Sequence, residues 1–313
     1  MVDLSIVIPV YRSERLLPEL VRRIAATMAP QSAGTAYELI LVNDCSPDRS
    51  WEMIEQACEH DPNVKGVNLR RNSGQHNAIM AGLRHATGAV IVLMDDDLQH
   101  APEDIGKLYG SILAGHDLSY AAFRHPKHAR WKRAGSVFRD LTARLLLGVP
   151  RGVRISSFKA MTAQIATEIT RYEGPFPYVD GLALMATRNV GNVELEHHPR
   201  PDGRGNYGLG ESIFLWTKVA MNFSVVPLRL ASWLGLAFAA VGFAFAAYLI
   251  FQKLAFDRIP VPGWSSLVVV ILIVGGVQLL ALGAIGEYLG RAYLHLNGKP
   301  QYVVKSKSGF DAS

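Results

Sequence analysis

Cysteine is scarce in this sequence, which has only Cys45 and Cys58 among 313 residues. Two cysteines at this spacing form neither a disulfide framework nor a thiolate metal site, and they are consistent with a reducing, cytosolic location. Net charge is also small, at +5 from 32 basic and 27 acidic residues. This excess suits anionic substrates or an anionic membrane surface and is too weak to indicate nucleic acid, so we expect no nucleic-acid partner.

Internal repeats, low-complexity stretches and an N-terminal signal peptide are also missing. Met1 leads at once into an apolar strand pattern at residues 4–8, where a signal peptide would have a basic region and then a longer apolar one. At 313 residues, the chain is long enough for one large domain or two small ones.

Long apolar runs are present at residues 230–251 and 267–289. Each exceeds the roughly 20 residues that cross a bilayer, and together they predict two transmembrane helices. The alternative is a pair of buried core helices, but the chain has too little surrounding sequence to enclose them. Because Arg229, Arg291 and Lys299 lie outside the pair, the positive-inside rule places both chain ends in the cytoplasm.

Strand and helix patterns alternate over the first 125 residues, as in a mostly parallel, Rossmann-like α/β sheet. Strands are predicted at 4–8, 37–42, 64–68, 89–94 and 118–121, with helices at 15–28, 50–60, 75–85 and 102–114. Further strands at 155–161 and 190–197 flank a helix at 163–172.

Four segments follow from these patterns. They are an α/β domain at 1–209, an amphipathic helix at 210–227, the two spans within 228–290, and a basic cytoplasmic tail at 291–313. The amphipathic helix lies either in the membrane interface or against the sheet, and the sequence leaves both open.

Three adjacent carboxylates, Asp95, Asp96 and Asp97, follow the apolar run at 89–94. The carboxyl ends of parallel strands are where α/β folds bind ligands, and like charges this close repel unless a cation neutralises them. Because side chains alternate in extended chain, Asp95, Asp97 and Gln99 face one way and Asp96 the other. Two carboxylates and an amide oxygen suit Mg²⁺ or Mn²⁺, completed by ligand phosphates. The alternative is a solvated acidic turn before Pro102.

Two other strands end in polar residues at the same predicted edge. Tyr11 can stack on a base, and Asp44 can accept a hydrogen bond from a base or a ribose. Asp44 with Ser46 could also form only a local turn. Together with an acidic metal site, these residues indicate a pocket for a nucleotide diphosphate.

Three segments, at residues 5–11, 42–48 and 94–100, resemble the signature segments of the GT-A inverting glycosyltransferases of family 2. Residues 227–229 and 284–291, which flank the apolar runs, resemble the polyprenyl-phosphate branch of that family. The resemblance implies a GT-A catalytic domain at 1–209, followed by the interfacial helix and the two spans. It also implies a location in the bacterial inner membrane, and tetramers occur in the family.

On the donor side, the resemblance implies that four residues hold the nucleobase and ribose: Pro9, Tyr11, Glu14 and Asp44. Asp95, Asp97 and Gln99 would bind the divalent cation, and Asp96 would lie by the donor sugar or ribose.

On the acceptor side, Arg124 and Arg133 match positions that bind the lipid phosphate in related mannose synthases. Ser136 resembles a phosphate-contacting serine there, but its spacing from Arg133 differs by one residue. The family often has a lysine where this chain has Asn206, so Arg200, Arg204 or Lys218 would supply that charge.

The implied reaction joins a nucleotide-diphosphate sugar to polyprenyl phosphate. The acceptor oxygen is already anionic, so no strong general base is needed, and a single displacement inverts C1. Arg124 and Arg133 would align the phosphate, and Asp97 would act through the cation. Asp180 is a candidate catalytic-site residue that positions the acceptor or acts as a base, and the alternative is a structural carboxylate.

Two other functions remain open. A catalytically silent membrane scaffold has no need for a crowded carboxylate site, and a processive polysaccharide synthase usually has a Gln-x-x-Arg-Trp segment before its spans, which is missing there. The sequence leaves the donor sugar, the base and the oligomeric state undecided, with a uridine nucleotide favoured.

Overall fold

The structure is a computed structural model. It describes residues 2–29, 35–123, 149–150, 152–195 and 263–310, and scattered positions between 233 and 255. The chain forms two compact units, one made of residues 1–207 with 298–313 and the other of residues 208–297.

The first unit is built on an eight-stranded mixed sheet. Its strands are β1 (Leu4–Val10), β2 (Tyr37–Asn43), β3 (Val64–Leu69), β4 (Val90–Leu93), β5 (Leu118–Phe123), β6 (Lys159–Thr162), β7 (Val190–Leu195) and β8 (Val304–Ser308). They lie in the order β7-β5-β6-β4-β1-β2-β3-β8. Strands β4, β1, β2 and β3 are parallel, and β6 and β8 are antiparallel to their neighbours.

Helices follow most strands, as the alternating pattern predicts. They are α1 (Leu17–Met28), α2 (Ser50–His60), α3 (Gln75–Leu83), α4 (Ile105–Leu113), α5 (Ala163–Thr170) and α6 (Val179–Ala186), and the second unit contains α7 (Trp264–Leu296). A short 3₁₀ turn, Pro102–Asp104, precedes α4.

The core has two layers because both faces of the sheet are apolar. Along β1, Ile6 and Ile8 pack with α1, α2 and α4 on one face, while Val7 packs with α3, α5 and α6 on the other. Helix α1 shows the matching helical spacing, since its buried residues are Leu17, Leu20, Ile24 and Met28. This packing holds the carboxyl ends of β1, β2 and β4 at one edge.

The structure differs from the sequence-based prediction at three places in the first unit. The strand expected at 155–161 is shorter and later, at Lys159–Thr162, where it pairs with β4 and β5. Helix α6 was not predicted, because its eight residues give too few turns for a clear period.

The third difference concerns the segment expected to be a basic tail. Val304–Ser308 is an edge strand antiparallel to β3. Its residues alternate between partly buried and exposed, and Lys305 and Lys307 point outward. Lysines on an edge strand prevent edge-to-edge pairing, and the same lysines gave this segment the composition of a solvated tail.

One helical stretch, Ile273–Leu294 within α7, is long and apolar enough to cross a membrane. Its large apolar side chains are exposed, with Leu279 and Leu282 at 71% and 62%. It overlaps the span expected at 267–289. Of the span expected at 230–251, the structure describes scattered positions, and these include a shorter apolar helix, Gly235–Phe245.

Candidate active site

The acidic run follows β4 at the edge where the central strands end. Val7 is paired with Leu93, Val10 with Asn43, and Asn43 with Asn68. The loops after β1, β2, β3 and β4 therefore begin at neighbouring positions, as expected for parallel strands. This register brings side chains far apart in the sequence into contact.

Asp96 turns toward the loop after β1. Its carboxylate accepts hydrogen bonds from the backbone N–H of Tyr11, at 3.1 Å, and from the hydroxyl of Ser13. Burial is the main reason that the pKa of Asp96 is raised, to about 6, and the charges of Asp95 and Asp97 act in the same direction. Asp96 therefore links the segment after β4 to the loop after β1 by hydrogen bonds.

Asp95 turns to the other side, toward α3. Its Oδ1 atom accepts a hydrogen bond from Nε2 of Gln75 at 2.7 Å. The opposite directions of Asp95 and Asp96 agree with the predicted alternation. Gln75 itself was not predicted as a site residue; the polar loop before α3 was the only sign of it.

Asp97 and Gln99 lie in the bent segment that follows β4. Oδ1 of Asp97 accepts a hydrogen bond from the backbone N–H of Gln99 at 3.1 Å, and Leu98 adopts a left-handed φ of 56°. Non-glycine residues in this conformation are uncommon and cluster at functional sites. Two further examples, Arg12 and Cys45, lie in the loops after β1 and β2.

The donor set can be tested for its fit to a cation. Asp95, Asp97 and Gln99 supply only oxygen ligands, which Mg²⁺ and Mn²⁺ prefer. Among the described residues, no three His, Cys, Asp or Glu side chains converge as a metal cluster. A cation held by these two carboxylates would thus take its remaining oxygens from a ligand or water, as diphosphate-bound Mg²⁺ does.

Tyr11 presents an aromatic surface at this edge, with 43% of the residue exposed. The guanidinium of Arg12 lies over its ring, 5.3 Å from the centroid. Glu14 connects the same loop to α2, because it accepts a hydrogen bond from the backbone N–H of Arg49 at 3.0 Å. Pro9, by contrast, is buried within β1, paired with Val42. Contact of these residues with a donor stays a prediction.

Asp44 is 4% exposed and holds the loop that leads into α3. Its two carboxylate oxygens accept hydrogen bonds from the backbone N–H groups of Ser73, at 2.7 Å, and Gly74, at 2.8 Å. Burial raises the pKa of Asp44, and the two donors offset part of that rise. The local turn with Ser46 that the sequence left open is not how this carboxylate is used, although its remaining lone pairs can still accept from a ligand.

Asp180 belongs to a second, more buried cluster. It forms an ion pair with Lys159, and these residues are 6% and 2% exposed. Asp180 also accepts a hydrogen bond from the hydroxyl of Tyr120 at 3.0 Å, and burial raises the pKa of Tyr120 well above its ordinary value. With an ammonium and a phenol already bound, this carboxylate is arranged as a structural or positioning group. Lys159 was missed in the sequence, although a lone charge in an apolar strand indicates a buried ion pair.

His76 lies in the first turn of α3, next to this cluster. Its ring meets the edge of Tyr178 with 5.1 Å between centroids. The residues expected on the acceptor side, Arg124, Arg133, Ser136, Arg204 and Lys218, lie outside the described part of the chain.

Comparison with known proteins decides the family. Residues 5–169 match the model of the family described as Glycosyl transferase family 2. The chain belongs to glycosyl transferase family 2. This confirms the family resemblance seen in the three signature segments and makes the protein a glycosyltransferase.

Two curated bacterial proteins are similar to this chain over nearly its whole length. One is an undecaprenyl-phosphate 4-deoxy-4-formamido-L-arabinose transferase from Shewanella sediminis, 34% identical over 303 residues that cover 96% of this chain and 91% of the relative. Another is the uncharacterized glycosyltransferase YkcC from Bacillus subtilis, 34% identical over 318 residues, which cover 99% of this chain and 95% of that one.

A solved structure supports the fold. Glucosyl-3-phosphoglycerate synthase from Mycobacterium tuberculosis, in complex with UDP, is 19% identical, with a TM-score of 0.52 and coverage of 70% of this chain and 78% of the other. The predicted GT-A-like α/β fold is therefore confirmed for the catalytic part, while the number of transmembrane helices is not.

Proposed function

We propose that this protein transfers a sugar from a nucleotide-diphosphate donor, a UDP-sugar, to undecaprenyl phosphate or another polyprenyl phosphate, with inversion at C1. The observation that carries the proposal is the acidic edge of the sheet, where Asp95 and Asp96 are fastened to α3 and β1 beside the exposed ring of Tyr11. The Shewanella sediminis relative, an undecaprenyl-phosphate 4-deoxy-4-formamido-L-arabinose transferase, supports the acceptor.

A divalent cation, Mg²⁺ or Mn²⁺, fits the oxygen ligands of Asp95, Asp97 and Gln99. Its chemical contribution is to neutralise the charge that develops on the leaving diphosphate. Gln75 would keep Asp95 in a fixed orientation, as residues beyond the ligands do in other metal sites. A solved relative of this fold in complex with Mn²⁺ and UDP is consistent with this site.

A lipid acceptor requires a catalytic domain beside a bilayer. Helix α7 presents apolar side chains over a length sufficient to span one, and a second span at 230–251 is part of the proposal. We place the catalytic domain and both termini on the cytoplasmic side of the bacterial inner membrane, because basic residues flank the apolar segments. A homo-oligomer, such as a tetramer, belongs to the same proposal.

The acceptor phosphate is anionic at neutral pH and attacks C1 without a strong base. Arg124 and Arg133 would hold it in line, with help from Ser136 and from Arg204 or Lys218. Asp180, bound to Lys159 and Tyr120, would shape this side of the site without taking a proton. This arrangement favours single transfer to a lipid phosphate over processive synthesis or a silent scaffold.

A donor panel tests the proposal. Membranes that contain the full chain are incubated with undecaprenyl phosphate and a series of UDP- and GDP-sugars, and the organic phase is examined by mass spectrometry for a new lipid-phosphate-sugar. We expect a product that requires Mg²⁺ or Mn²⁺. If every donor fails, the proposal is wrong.

A separate substitution tests the proposed cation site. Asp97→Ala should abolish transfer, whereas Glu59→Ala, an exposed carboxylate on α2, should leave it unchanged. Full activity of Asp97→Ala would refute the metal site.

A further inference from the structure

His76 lies between the two carboxylate clusters of the site. Its neighbour Gln75 donates to Asp95, and its own ring packs against Tyr178, two residues before Asp180. The charges of Asp180, Lys159 and Asp95 all act on the imidazole. The first turn of α3 therefore contacts the acidic edge through Gln75, and its His76 lies within electrostatic range of the buried ion pair.

The two nitrogens of this imidazole have different surroundings. Nδ1 is buried and has no hydrogen-bond partner among the described residues, although the side chain as a whole is partly exposed. Burial is the main cause that lowers the pKa of His76, so the ring is neutral near pH 7. Because a buried N–H without an acceptor is rare in proteins, we assign the proton to Nε2.

The charge around the ring restricts what it binds. The carboxyl groups of Asp95 and Asp180 both act on the ring, and the charge of Lys159 is compensated by its ion pair with Asp180. In the proposed site the cation held by Asp95 and Asp97 takes the diphosphate, which leaves the neutral hydroxyl groups of the sugar for an N–H donor from α3. Because Nδ1 is buried in a residue that is partly exposed, we take Nε2 as the ring nitrogen that is open to a ligand.

We propose that His76 is a substrate-binding residue whose Nε2–H donates a hydrogen bond to a hydroxyl group of the transferred sugar. This inference rests on the proposed function, since it assigns a role within the same site. It makes His76 a determinant of sugar recognition and leaves the binding of the nucleotide to other residues.

Two substitutions separate this role from a structural one. In His76→Gln the side-chain amide nitrogen extends to the place of Nε2, whereas in His76→Asn it lies near the place of Nδ1. A sugar contact through Nε2 should be kept in part by Gln and lost with Asn. A purely structural role of the buried Nδ1 would give the reverse order.

The measurement compares the KM for the UDP-sugar selected by the donor panel with the affinity for UDP and Mn²⁺, on the full chain in detergent. We expect His76→Asn to raise this KM about fivefold or more, the loss of one hydrogen bond, with UDP affinity unchanged. His85→Asn is the matched control, because Nδ1 of His85 is bonded within the fold to the carbonyl of Ala81 at 2.7 Å and should not affect either value.

The outcomes distinguish the two proposals. If the wild-type protein binds neither UDP nor GDP with Mn²⁺, the proposed function fails. The role of His76 is wrong if the wild-type protein binds UDP and transfers sugar but His76→Asn leaves the KM for the UDP-sugar unchanged. It is also wrong if His76→Asn weakens UDP binding to the same extent, or if His76→Asn is less impaired than His76→Gln.

Discussion

Nε2 of Gln75 and Oδ1 of Asp95 are 2.7 Å apart, and this hydrogen bond connects α3 to the acidic edge. Through this bond, α3, which lies on one face of the sheet, sets the orientation of Asp95, a proposed cation ligand. Asp96 is held from the other direction by Tyr11 and Ser13. Adjacent carboxylates are thus fixed by different parts of the fold.

Gln75→Ala should weaken the apparent affinity for Mn²⁺ by about 10-fold or more, because residues that orient a metal ligand commonly contribute that much. The measurement is a Mn²⁺ titration of transferase activity. Gln56→Ala, an exposed glutamine on α2, is the control. An unchanged Mn²⁺ dependence in Gln75→Ala would contradict a positioning role for this amide.

Lys159→Met should destabilise the catalytic unit by about 3 kcal/mol, because it leaves Asp180 as a buried charge without its ion-pair partner. Thermal unfolding in detergent measures the change. The double variant Lys159→Met/Asp180→Leu should cost less than the sum of the two single variants, since the pair is coupled.

An exposed pair provides the comparison for this buried one. Arg22 and Glu19 form an ion pair with side chains 66% and 47% exposed, and Arg22→Ala should change stability by less than about 1 kcal/mol. If Lys159→Met and Arg22→Ala lower the free energy of unfolding equally, burial of the Lys159–Asp180 pair does not increase its contribution to stability.

Glu38→Gln should destabilise the fold at neutral pH and lose its effect in acid. Burial alone would raise the pKa of Glu38, but hydrogen bonds from Lys65, Ser5 and Thr87 outweigh it and lower the pKa below 4.5. A lowered pKa contributes stability above the unfolded value that is lost as pH falls through the folded value.

The stability difference between wild type and Glu38→Gln should therefore be largest at neutral pH and shrink below pH 4.5. Unfolding curves at a series of pH values measure it, with exposed Glu55→Gln as the control. A difference that stays constant across the series would disprove the charge-based stabilisation.

Gln301→Ala should destabilise the catalytic unit by about 1–3 kcal/mol, because one buried and one partly buried carbonyl group lose their donor. Nε2 of Gln301 donates to the carbonyls of Tyr172 and Gly174, both at 2.8 Å. Limited proteolysis and thermal unfolding would detect the change, and exposed Gln164→Ala is the control. If both variants unfold at the same temperature, this contact is dispensable.

The candidate site was only partly predictable. Apolar strand patterns that end in Asp44 and Asp95 placed both at one edge, because parallel strands end on the same side. That the two oxygens of Asp44 bind Ser73 and Gly74 depends on the register of β2 and β3. A local pattern contains no information about a partner some 30 residues away.

The same limit applies to the fold. The alternation of apolar and polar segments predicted where β1 to β5 lie along the chain, because strands that are buried on both faces require continuous apolar runs. It did not predict β8, whose lysines face solvent while its backbone completes the sheet beside β3. Backbone pairing at an edge leaves little trace in hydrophobicity.

By itself, the sequence determined the family, the α/β core and the acidic edge, because these depend on local composition and on strand ends. The tertiary structure decided which carboxylates are bound within the fold and by what. It directed Asp95 to Gln75, Asp96 to Ser13 and Asp180 to Lys159, since these partners meet only when the sheet forms and α3 packs against it.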